Sequence, residues 1–532
     1  MKKTAYHVLN VALTLLLVHG SLFISSCTDE LDTEQNGVIS TSSFYQTDTD
    51  CEEAIIETYS AIRSACQDYN GSYWNLKTLL SDEIYTGGST RSDGPAMQAL
   101  NEYQYDYSNA EINEVFSTLY GIVYRANLVI NNFDPDQSDV MKRNVAEAKV
   151  FRAWAYFELV TLWGTPPLVL EAVRDDYKAA NTPTEEIWAQ IEEDLTDAIN
   201  SDALVQKTSI DDATTGIRVT KQFAQAMLGK AYVFQEEWTS AISVLQQVVS
   251  SGLYGFLDDY GNYCVAAYNN NREILFSDSN TNDASTGPGF YPWVYIGPNP
   301  TYISGLETGG SGNDYSSVGF GMWNPSQAIV DAFLENEPES PRFTQTLNSY
   351  YTMMDMGMSV VDGQEVYACC GYFNWKYRNS VQSRVTNMYY YFWNNNIIMK
   401  YSEVVLLLAE ALIQSQGAGA GDIYINLIRD KAGVDQLSGA TLDDLKLEKQ
   451  LELYMDGCRY QDLVRWGDAT TVLAEQGKQI PNLLGVNDDG TLNVDDARYT
   501  NSSYGFKEKH KLLPFPQEEM EVNPNITQNS GW

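Results

Sequence analysis

Apolar side chains recur at three- and four-residue steps in four parts of the chain, which is the spacing of one face of an α-helix. The clearest of these parts spans residues 146–163. Gly164, Pro166 and Pro167 follow directly and end the predicted helix. The pattern therefore predicts one long amphipathic helix that stops at a defined residue.

The other three helical parts contain three helices, a helix-turn-helix pair and one further helical run. Residues 187–199, 220–234 and 238–249 form the second part, residues 401–413 and 423–432 the third, and residues 442–466 the fourth. In the second part, the run from Ala226 to Tyr232 followed by Trp238 and Ala241 is similar to a tetratricopeptide repeat, in which Gly229 and alanines let two helices approach closely. These parts predict a helical-repeat scaffold.

Two long segments between the helical parts are rich in Gly, Pro, Asn and Ser and are predicted to be loops. They span residues 277–325 and 342–396. Loops of that length in a compact protein are usually functional. Strands and helices do not alternate, so a parallel sheet is not expected. The predicted fold class is all-α, with loop-rich excursions from the scaffold.

The first 26 residues have the composition of a signal peptide of the lipoprotein type. Lys2 and Lys3 precede a short apolar stretch, and small residues stand directly before Cys27. This arrangement resembles a bacterial lipobox, so we expect lipidation of Cys27; an ordinary cleavable signal is the alternative. Residues 27–45 are predicted to form a flexible acidic tether, and residues 46–532 a single compact domain.

The formal net charge of −38 excludes one class of partner and favours others. Such a charge repels nucleic acid and anionic lipid head groups. We therefore expect neutral or cationic partners and no nucleic acid. The chain also contains 36 Tyr and 11 Trp, an aromatic content that becomes the main indication of function.

Catalytic and redox motifs are scarce in this sequence. After removal of residues 1–26 one histidine remains, His510, without a nucleophile motif nearby. We find no Gly-x-Ser-x-Gly elbow, phosphate-binding loop, His-Glu-x-x-His or paired Cys-x-x-Cys. On one predicted helix, Cys51 and Cys66 would lie about 22 Å apart, too far for a disulfide. We expect no cofactor, no metal and buried free cysteines.

Four sets of residues, in this order along the chain, resemble the SusD/RagB family of outer-membrane lipoproteins. They are residues 124–127 with 153–157, residues 409–411 with 425–429, residues 448–467, and residues 512–532. Where the family motif usually reads Phe-Glu-Gly-His, this chain has Met455-Asp456-Gly457-Cys458. This difference concerns the substrate role that the family motif would imply for those four positions. The assignment of the helical scaffold is unchanged.

The resemblance implies a scaffold of about four tetratricopeptide-like helix pairs, with a SusD-like N-terminal part at about residues 46–270 and a RagB/SusD part at about 271–532. It implies a non-enzymatic lipoprotein, anchored in the outer membrane and facing the cell exterior. Such a protein binds oligosaccharide and delivers it to a SusC-like TonB-dependent transporter. These implications are expectations for the structure and the comparisons.

Sugar recognition requires flat aromatic faces and forked polar groups that bond neighbouring hydroxyls. Two regions offer both, the first at residues 85–103 and the second at residues 290–323. Aromatic binding residues of family members are generally drawn from these two regions. Core packing is the competing interpretation of each aromatic residue. We expect Trp293→Ala or Trp323→Ala to weaken glycan binding without unfolding the scaffold. The candidate glycan-binding residues are Trp293, Tyr295, Trp323, Tyr85, Arg91 and Asn101.

Two further functions stay open at this point. Part of the family feeds peptide importers, and an acidic surface suits cationic peptides. A surface glycosidase with an Asp/Glu pair is the second alternative, because such a pair need not be close in sequence. The acids of the pairs Asp456/Arg459 and Asp462/Arg465 are three residues from their partners, which predicts surface ion pairs rather than catalysis.

Overall fold

The computed structural model describes residues 44–67, 72–172, 178–283, 285, 293–306, 319–386 and 391–532. The chain divides into two compact units, Met1–Asp50 and Cys51–Trp532. Of the first unit, residues 44–50 are described; Cys27 and the predicted signal peptide lie outside the described residues. The elements discussed below belong to the second unit, apart from the first turn of the first helix.

Helices dominate the described residues, as the sequence predicts. In chain order they are α1 (Asp48–Gln67), α2 (Tyr73–Leu79), α3 (Pro95–Asn101), α4 (Ala110–Asn132), α5 (Asp139–Trp163), α6 (Thr184–Asn200), α7 (Lys221–Phe234), α8 (Trp238–Ser250), α9 (Trp293–Ile296), α10 (Gln327–Asn336), α11 (Pro341–Thr346), α12 (Tyr350–Asp355), α13 (Tyr401–Gln416), α14 (Asp422–Ala432), α15 (Leu442–Glu452), α16 (Arg459–Arg465), α17 (Ala469–Val472) and α18 (Gln517–Val522).

The strands are short and pair antiparallel in small sheets. They are β1 (Ile84–Gly87), β2 (Ile274–Asp278), β3 (Ile303–Ser304), β4 (Met322–Pro325), β5 (Leu347–Ser349), β6 (Ser359–Val360), β7 (Val366–Tyr367), β8 (Tyr372–Asn374), β9 (Asn396–Lys400), β10 (Gln479–Val486) and β11 (Leu492–Thr500). The pairs are β1–β4, β2–β9, β3–β6 and β5–β8, and β10 lies between β7 and β11.

Local chemistry sets the helix ends; α5 ends where the sequence predicted, but it begins at Asp139, seven residues before the predicted start at residue 146. The Ser138 hydroxyl accepts a hydrogen bond from the Met141 backbone N–H and caps α5. At the other end Gly164 has φ of 78°, and a Cβ there would lie 2.8 Å from Leu512. Thr220 caps α7 in the same manner. These caps satisfy backbone groups that a helix end leaves without partners.

The long helices pack side by side in one continuous stack. Helix α4 packs on α5, α5 on α6, α6 on α7, α7 on α8 and α8 on α13, and α13 also contacts α14 and α15. The inner faces carry the apolar stripes predicted from periodicity; Phe151, Ala155 and Leu159 of α5 are buried. The predicted all-α, tetratricopeptide-like fold is confirmed. In the described part of the chain, no helix is both long and apolar enough to cross a membrane.

Two parts of the sequence prediction differ from the structure. The helical block at residues 442–466 is two helices, α15 and α16, separated by a turn in which Met455 and Gly457 have positive φ. The Met455 backbone N–H donates to Glu83 at 3.2 Å, which fixes this turn against the start of β1. The predicted loop segments contain short helices and strand pairs, because their polar residues cap turns between brief apolar stretches.

The C-terminal segment packs across the end of α5, as Pro514 and Pro516 predict. The Trp163 indole N–H donates to the carbonyl of Pro514 at 2.9 Å, and the Leu513 N–H donates to the carbonyl of Leu162 at 2.8 Å. This contact joins the last residues of the chain to the helix stack.

The described cysteine thiols are free and buried. They belong to Cys51, Cys66, Cys369, Cys370 and Cys458. Cys51 and Cys66 share α1, as predicted. Burial raises the pKa of the Cys66 thiol well above its ordinary value.

Gly229 sets the spacing between α7 and α8 and provides a test of the repeat packing. We expect Gly229→Ala to lower the free energy of unfolding by about 1–3 kcal/mol through overpacking, because the added Cβ would lie 2.4 Å from the Leu245 side chain. Gly121→Ala in α4 is the control, since its Cβ meets only the flexible Arg125 guanidinium. Denaturant unfolding measures both variants, and equal losses would contradict the proposed close approach.

Candidate functional site

The two sequence regions proposed for glycan binding come together through the β1–β4 pair. In this antiparallel ladder Tyr85 lies opposite Asn324, next to Trp323. The Trp323 ring packs edge-on against Trp74 of α2, with ring centroids 5.3 Å apart. It also packs at 5.3 Å on Tyr295 of α9. Three rings from distant segments therefore form one aromatic cluster.

An open cleft lies beside this cluster; we call it the aromatic cleft. Its lining residues come from six segments of the chain and combine rings with amide and carboxylate groups. They are Cys66, Tyr73, Trp74, Ile296, Tyr377, Asn395, Asn396, Ile397 and Asp456. The volume is about 40 Å³, and a bound water needs roughly 10–15 Å³. The cleft therefore admits the edge of a ligand, and the rest of the ligand would lie across its rim.

Trp74 is the half-buried ring of the cleft and is firmly held. Ser72 caps the N-terminus of α2, and the Trp74 indole N–H donates to the carbonyl of Met455 at 2.6 Å. The neighbouring Tyr73 packs edge-on against Trp154 of α5 with centroids 5.0 Å apart. The helix stack therefore positions the rings of the cleft.

Asp456 is the carboxylate of the cleft and is bound from three sides. Lys376 contacts it at 3.1 Å, Lys400 at 2.5 Å, and the Tyr377 hydroxyl donates to it. Burial alone would raise the pKa of Asp456, but the two lysines outweigh burial and lower it. The carboxylate is therefore ionised, the two lysines offset its negative charge, and its oxygens accept hydrogen bonds.

Side-chain amides form the other edge of the cleft. Asn395 donates to Asn270 at 2.9 Å and to Ser277 at 3.0 Å, so its orientation is fixed. Asn396 donates to Asp278 at 2.9 Å. Asn396 is only partly buried, and within the described chain its side-chain carbonyl accepts no hydrogen bond. That carbonyl is positioned to accept a bond from a ligand hydroxyl.

Several predicted site residues point into the interior, which corrects the expectation that their rings are open. Trp323 is 1% exposed and Asn101 is fully buried; Tyr295 and Tyr85 are buried as well. Trp323 has φ of 55°, which turns its ring inward between Trp74 and Tyr295. These side chains support the cleft from behind and do not line it.

Hydrogen bonds within the protein explain why the side chains of Asn101 and Tyr85 are not available to bind a ligand. The Asn101 amide donates to the carbonyls of Leu79 and Ile84 at 2.9 and 3.0 Å, and the Tyr85 hydroxyl accepts from the Gln327 N–H at 3.3 Å. Arg91 is partly exposed, but its guanidinium is paired with Glu102 in a pocket separate from the aromatic cleft. The side chain of Trp293 lies outside the described residues.

The predicted surface ion pairs were wrong in their partners or their exposure. Arg459 pairs with Asp82 at 2.8 Å instead of Asp456. Asp462 does pair with Arg465 at 2.7 Å, but the pair is buried together with Lys449 and Glu410. Of the four residues in the two predicted pairs, Asp456 lines the aromatic cleft and the other three do not.

Sequence reasoning missed Trp74, Tyr377, Asn395 and Asn396. Trp74 directly follows Tyr73 in a segment that was not among the proposed binding regions, and Asn395 and Asn396 also lie outside those regions. Metal ligation finds no support either, because the described residues contain no group of three or more His, Cys, Asp or Glu side chains arranged around an ion.

A stack of antiparallel helices that presents a concave binding surface is typical of helical-repeat binding proteins. Residues 272–532 match the model of the SusD family, and residues 34–233 match a model described as starch-binding associating with outer membrane. The chain belongs to the SusD family.

Relatives and solved structures resemble the chain over nearly its whole length. A SusD-like protein of Formosa agariphila is 23% identical over 95% of this chain and 96% of its own length, and one of Bacteroides ovatus is 22% identical over 85% and 82%. A laminarin-binding SusD-like protein is 23% identical with a TM-score of 0.75, covering 92% of this chain and 100% of its own.

A second structure of the same fold contains a bound sugar. It is surface glycan-binding protein A from Bacteroides thetaiotaomicron in complex with laminarihexaose, 19% identical with a TM-score of 0.72, covering 91% of this chain and 100% of its own. At these identities the likeness establishes the fold.

The variant Trp323→Ala tests whether Trp323 stabilises the fold or contacts a ligand. We expect Trp323→Ala to lower the free energy of unfolding by about 3–5 kcal/mol, because it removes a fully buried ring between two others. Denaturant unfolding followed by circular dichroism measures this loss. Unchanged stability together with lost glycan binding would restore Trp323 as a contact residue.

His510 gives a pH test of the C-terminal packing. Burial, Lys509 and Lys507 lower its pKa to about 3, whereas an unfolded histidine titrates near about 6.5. As the pH falls below about 6.5, His510 becomes protonated in the unfolded chain but stays neutral in the folded chain. The free energy of unfolding therefore decreases toward pH 3.

We therefore expect His510→Phe to lose less stability than the parent between about pH 6.5 and 4, by up to about 1.4 kcal/mol per pH unit. Unfolding free energies at each pH measure the slope. Phe506→Leu disturbs the same ring cluster without a titrating group and serves as the control. Identical slopes for His510→Phe and the parent would contradict the shifted pKa.

Proposed function

We propose that this protein binds an oligosaccharide at the aromatic cleft without cleaving it, and delivers it to a SusC-like TonB-dependent outer-membrane transporter. The observation that carries the proposal is the half-buried Trp74 ring beside Asn396 and Asp456. A ring face covers the apolar side of a sugar, while the amide carbonyl and the carboxylate accept bonds from its hydroxyls.

The electrostatics of the cleft suit an uncharged ligand. Lys376 and Lys400 both pair with Asp456, so the one carboxylate among the described lining residues is not left as an unpaired negative charge. The fold shared with glycan-binding proteins supports the same ligand class, and laminarihexaose is the first probe to use.

A hydrolytic role lacks a carboxylate pair at this site. Glycoside hydrolysis commonly uses two carboxyl groups that flank the bond. Asp456 is the one carboxylate among the described lining residues, and two lysines and a tyrosine already engage it. Binding without cleavage is therefore the function that we propose.

We further propose that Cys27 carries the lipid anchor and that residues 27–45 tether the folded part to the outer membrane, facing the cell exterior. The acidic, core-poor composition of this segment suits a tether. The family model described as associating with the outer membrane supports this location.

Substitution of Trp74 tests the cleft. We expect Trp74→Ala, in a soluble form beginning at Thr28, to bind laminarihexaose at least about tenfold more weakly, because the stacking surface is lost. Trp238→Ala removes another half-buried indole, outside the cleft, and should bind like the parent. Isothermal titration calorimetry measures affinity, and chromatography of the mixtures shows whether the ligand stays intact.

A second variant, Asn396→Ala, tests the cleft independently, in case Trp74→Ala acts only by disturbing the structure. Asn396 lines the cleft, and its loss should weaken binding severalfold. If Trp74→Ala and Asn396→Ala bind as tightly as the parent, the cleft is not the site. Shortened products from the parent protein would overturn the non-enzymatic assignment.

A further inference from the structure

A groove lies between α4 and the C-terminal helix α18, and none of its described lining residues belongs to the aromatic cleft. Its volume is about 480 Å³, within the usual range for ligand pockets of roughly 300–1,000 Å³. One wall is the stripe Phe116, Tyr120, Val123 and Tyr124 along α4, and residues 516–523 form the other wall.

Contacts within the protein hold the groove in shape. The Tyr120 hydroxyl donates to the carbonyl of Pro167 at 2.6 Å at the floor. Asn523 donates to the carbonyl of Ala179 at 2.8 Å and so joins α18 to the neighbouring segment. The Phe116 ring packs on Trp163 with centroids 5.1 Å apart. The groove is therefore preformed, which reduces the entropic cost of binding.

The rim of the groove exposes apolar surface. Tyr124 is 47% exposed and Val522 is 63% exposed, and they stand on opposite walls. Large apolar side chains facing each other across an open groove are typical of an interaction site. An occupant with aliphatic or aromatic side chains would cover them.

The charges of the groove have one sign. Glu171, Glu518 and Glu519 line it, and no described lining residue is Lys, Arg or His. Within the described chain none of the three carboxylates forms an ion pair. Because the described lining residues bring no counter-charge to these three carboxylates, the groove disfavours an anionic occupant and favours a cation placed among them.

We propose that this groove docks a short polypeptide segment of a partner protein, in which Lys or Arg residues stand beside aliphatic or aromatic residues. The apolar walls bind the aliphatic or aromatic side chains, the three carboxylates bind the cationic groups, and the exposed Ser117 hydroxyl offers a bond to the peptide backbone. This interaction surface goes beyond glycan capture, because it is independent of the aromatic cleft.

A fluorescein-labelled synthetic octapeptide that alternates lysine with leucine and phenylalanine is the probe, and its glutamate counterpart is the reference. The parent protein should bind the lysine peptide at least about tenfold more tightly than the glutamate peptide by fluorescence anisotropy. Raising the salt concentration should weaken binding, because surface attraction is screened over roughly 8–10 Å at ionic strengths of about 0.1–0.15 M.

Val522→Arg places a cation in the groove at a largely exposed position and should weaken binding of the lysine peptide at least tenfold. Ile423→Arg is the matched control, since Ile423 is 75% exposed on α14, outside the groove. It adds the same charge to the same acidic protein and should change the affinity less than twofold. The pair therefore separates docking from general attraction to an acidic surface.

Three outcomes would overturn the proposal: equal binding of the lysine and glutamate peptides, equal loss in both arginine variants, or full binding by Val522→Arg. Weaker laminarihexaose binding by Val522→Arg would assign the groove to sugar and would overturn it too. The proposed function is tested separately, because Trp74→Ala should leave peptide binding unchanged and Val522→Arg should leave laminarihexaose binding unchanged.

Discussion

Buried ion pairs hold the loop-rich part of the molecule to the helix stack. Arg342 is fully buried and contacts Glu337, Glu448 and Glu452 at 2.7, 2.6 and 3.2 Å. Lys431 joins Glu452 to Glu273, each at 3.0 Å. Moving an ion out of water costs several kcal/mol, and good geometry repays this cost only while every partner is present.

The same network reaches the aromatic cleft. Burial alone would raise the pKa of Glu452, but Lys431 and Arg342 outweigh burial and keep it well below the ordinary value. Lys376 donates to the carbonyl of Glu452 at 3.3 Å and also binds Asp456. The position of the carboxylate in the cleft is therefore coupled to the charges that join the scaffold to its excursions.

Periodicity predicted the helices well because an apolar stripe reports burial directly. The α5 stripe and its end at Gly164 agree with the pattern, whereas the helix begins at Asp139, seven residues before the predicted start at residue 146. The break between α15 and α16 was not predictable, because it depends on Glu83, more than 350 residues away in sequence, which accepts the Met455 N–H. The small sheets were missed for a similar reason, since most of their strands have two to five residues and carry little periodicity; the longer β10–β11 hairpin, with strands of eight and nine residues, was not predicted either.

For the candidate site, sequence reasoning identified regions better than side chains. Residues near 85 and near 323 do meet, through the β1–β4 ladder. Which way each ring points depends on backbone angles, and the positive φ of Trp323 reverses the orientation that an exposed platform needs. Trp74 and Asn396 become part of a cleft only when six segments of the chain assemble.

The buried free thiols have a consequence for how the protein is made and kept. Since Cys51, Cys66, Cys369, Cys370 and Cys458 form no covalent link, non-covalent packing alone maintains their part of the fold. Reductants have no bond to cleave there, and with the Cys66 thiolate suppressed by burial, oxidants find little to attack. This core can mature without a disulfide isomerase and tolerates changes in redox conditions.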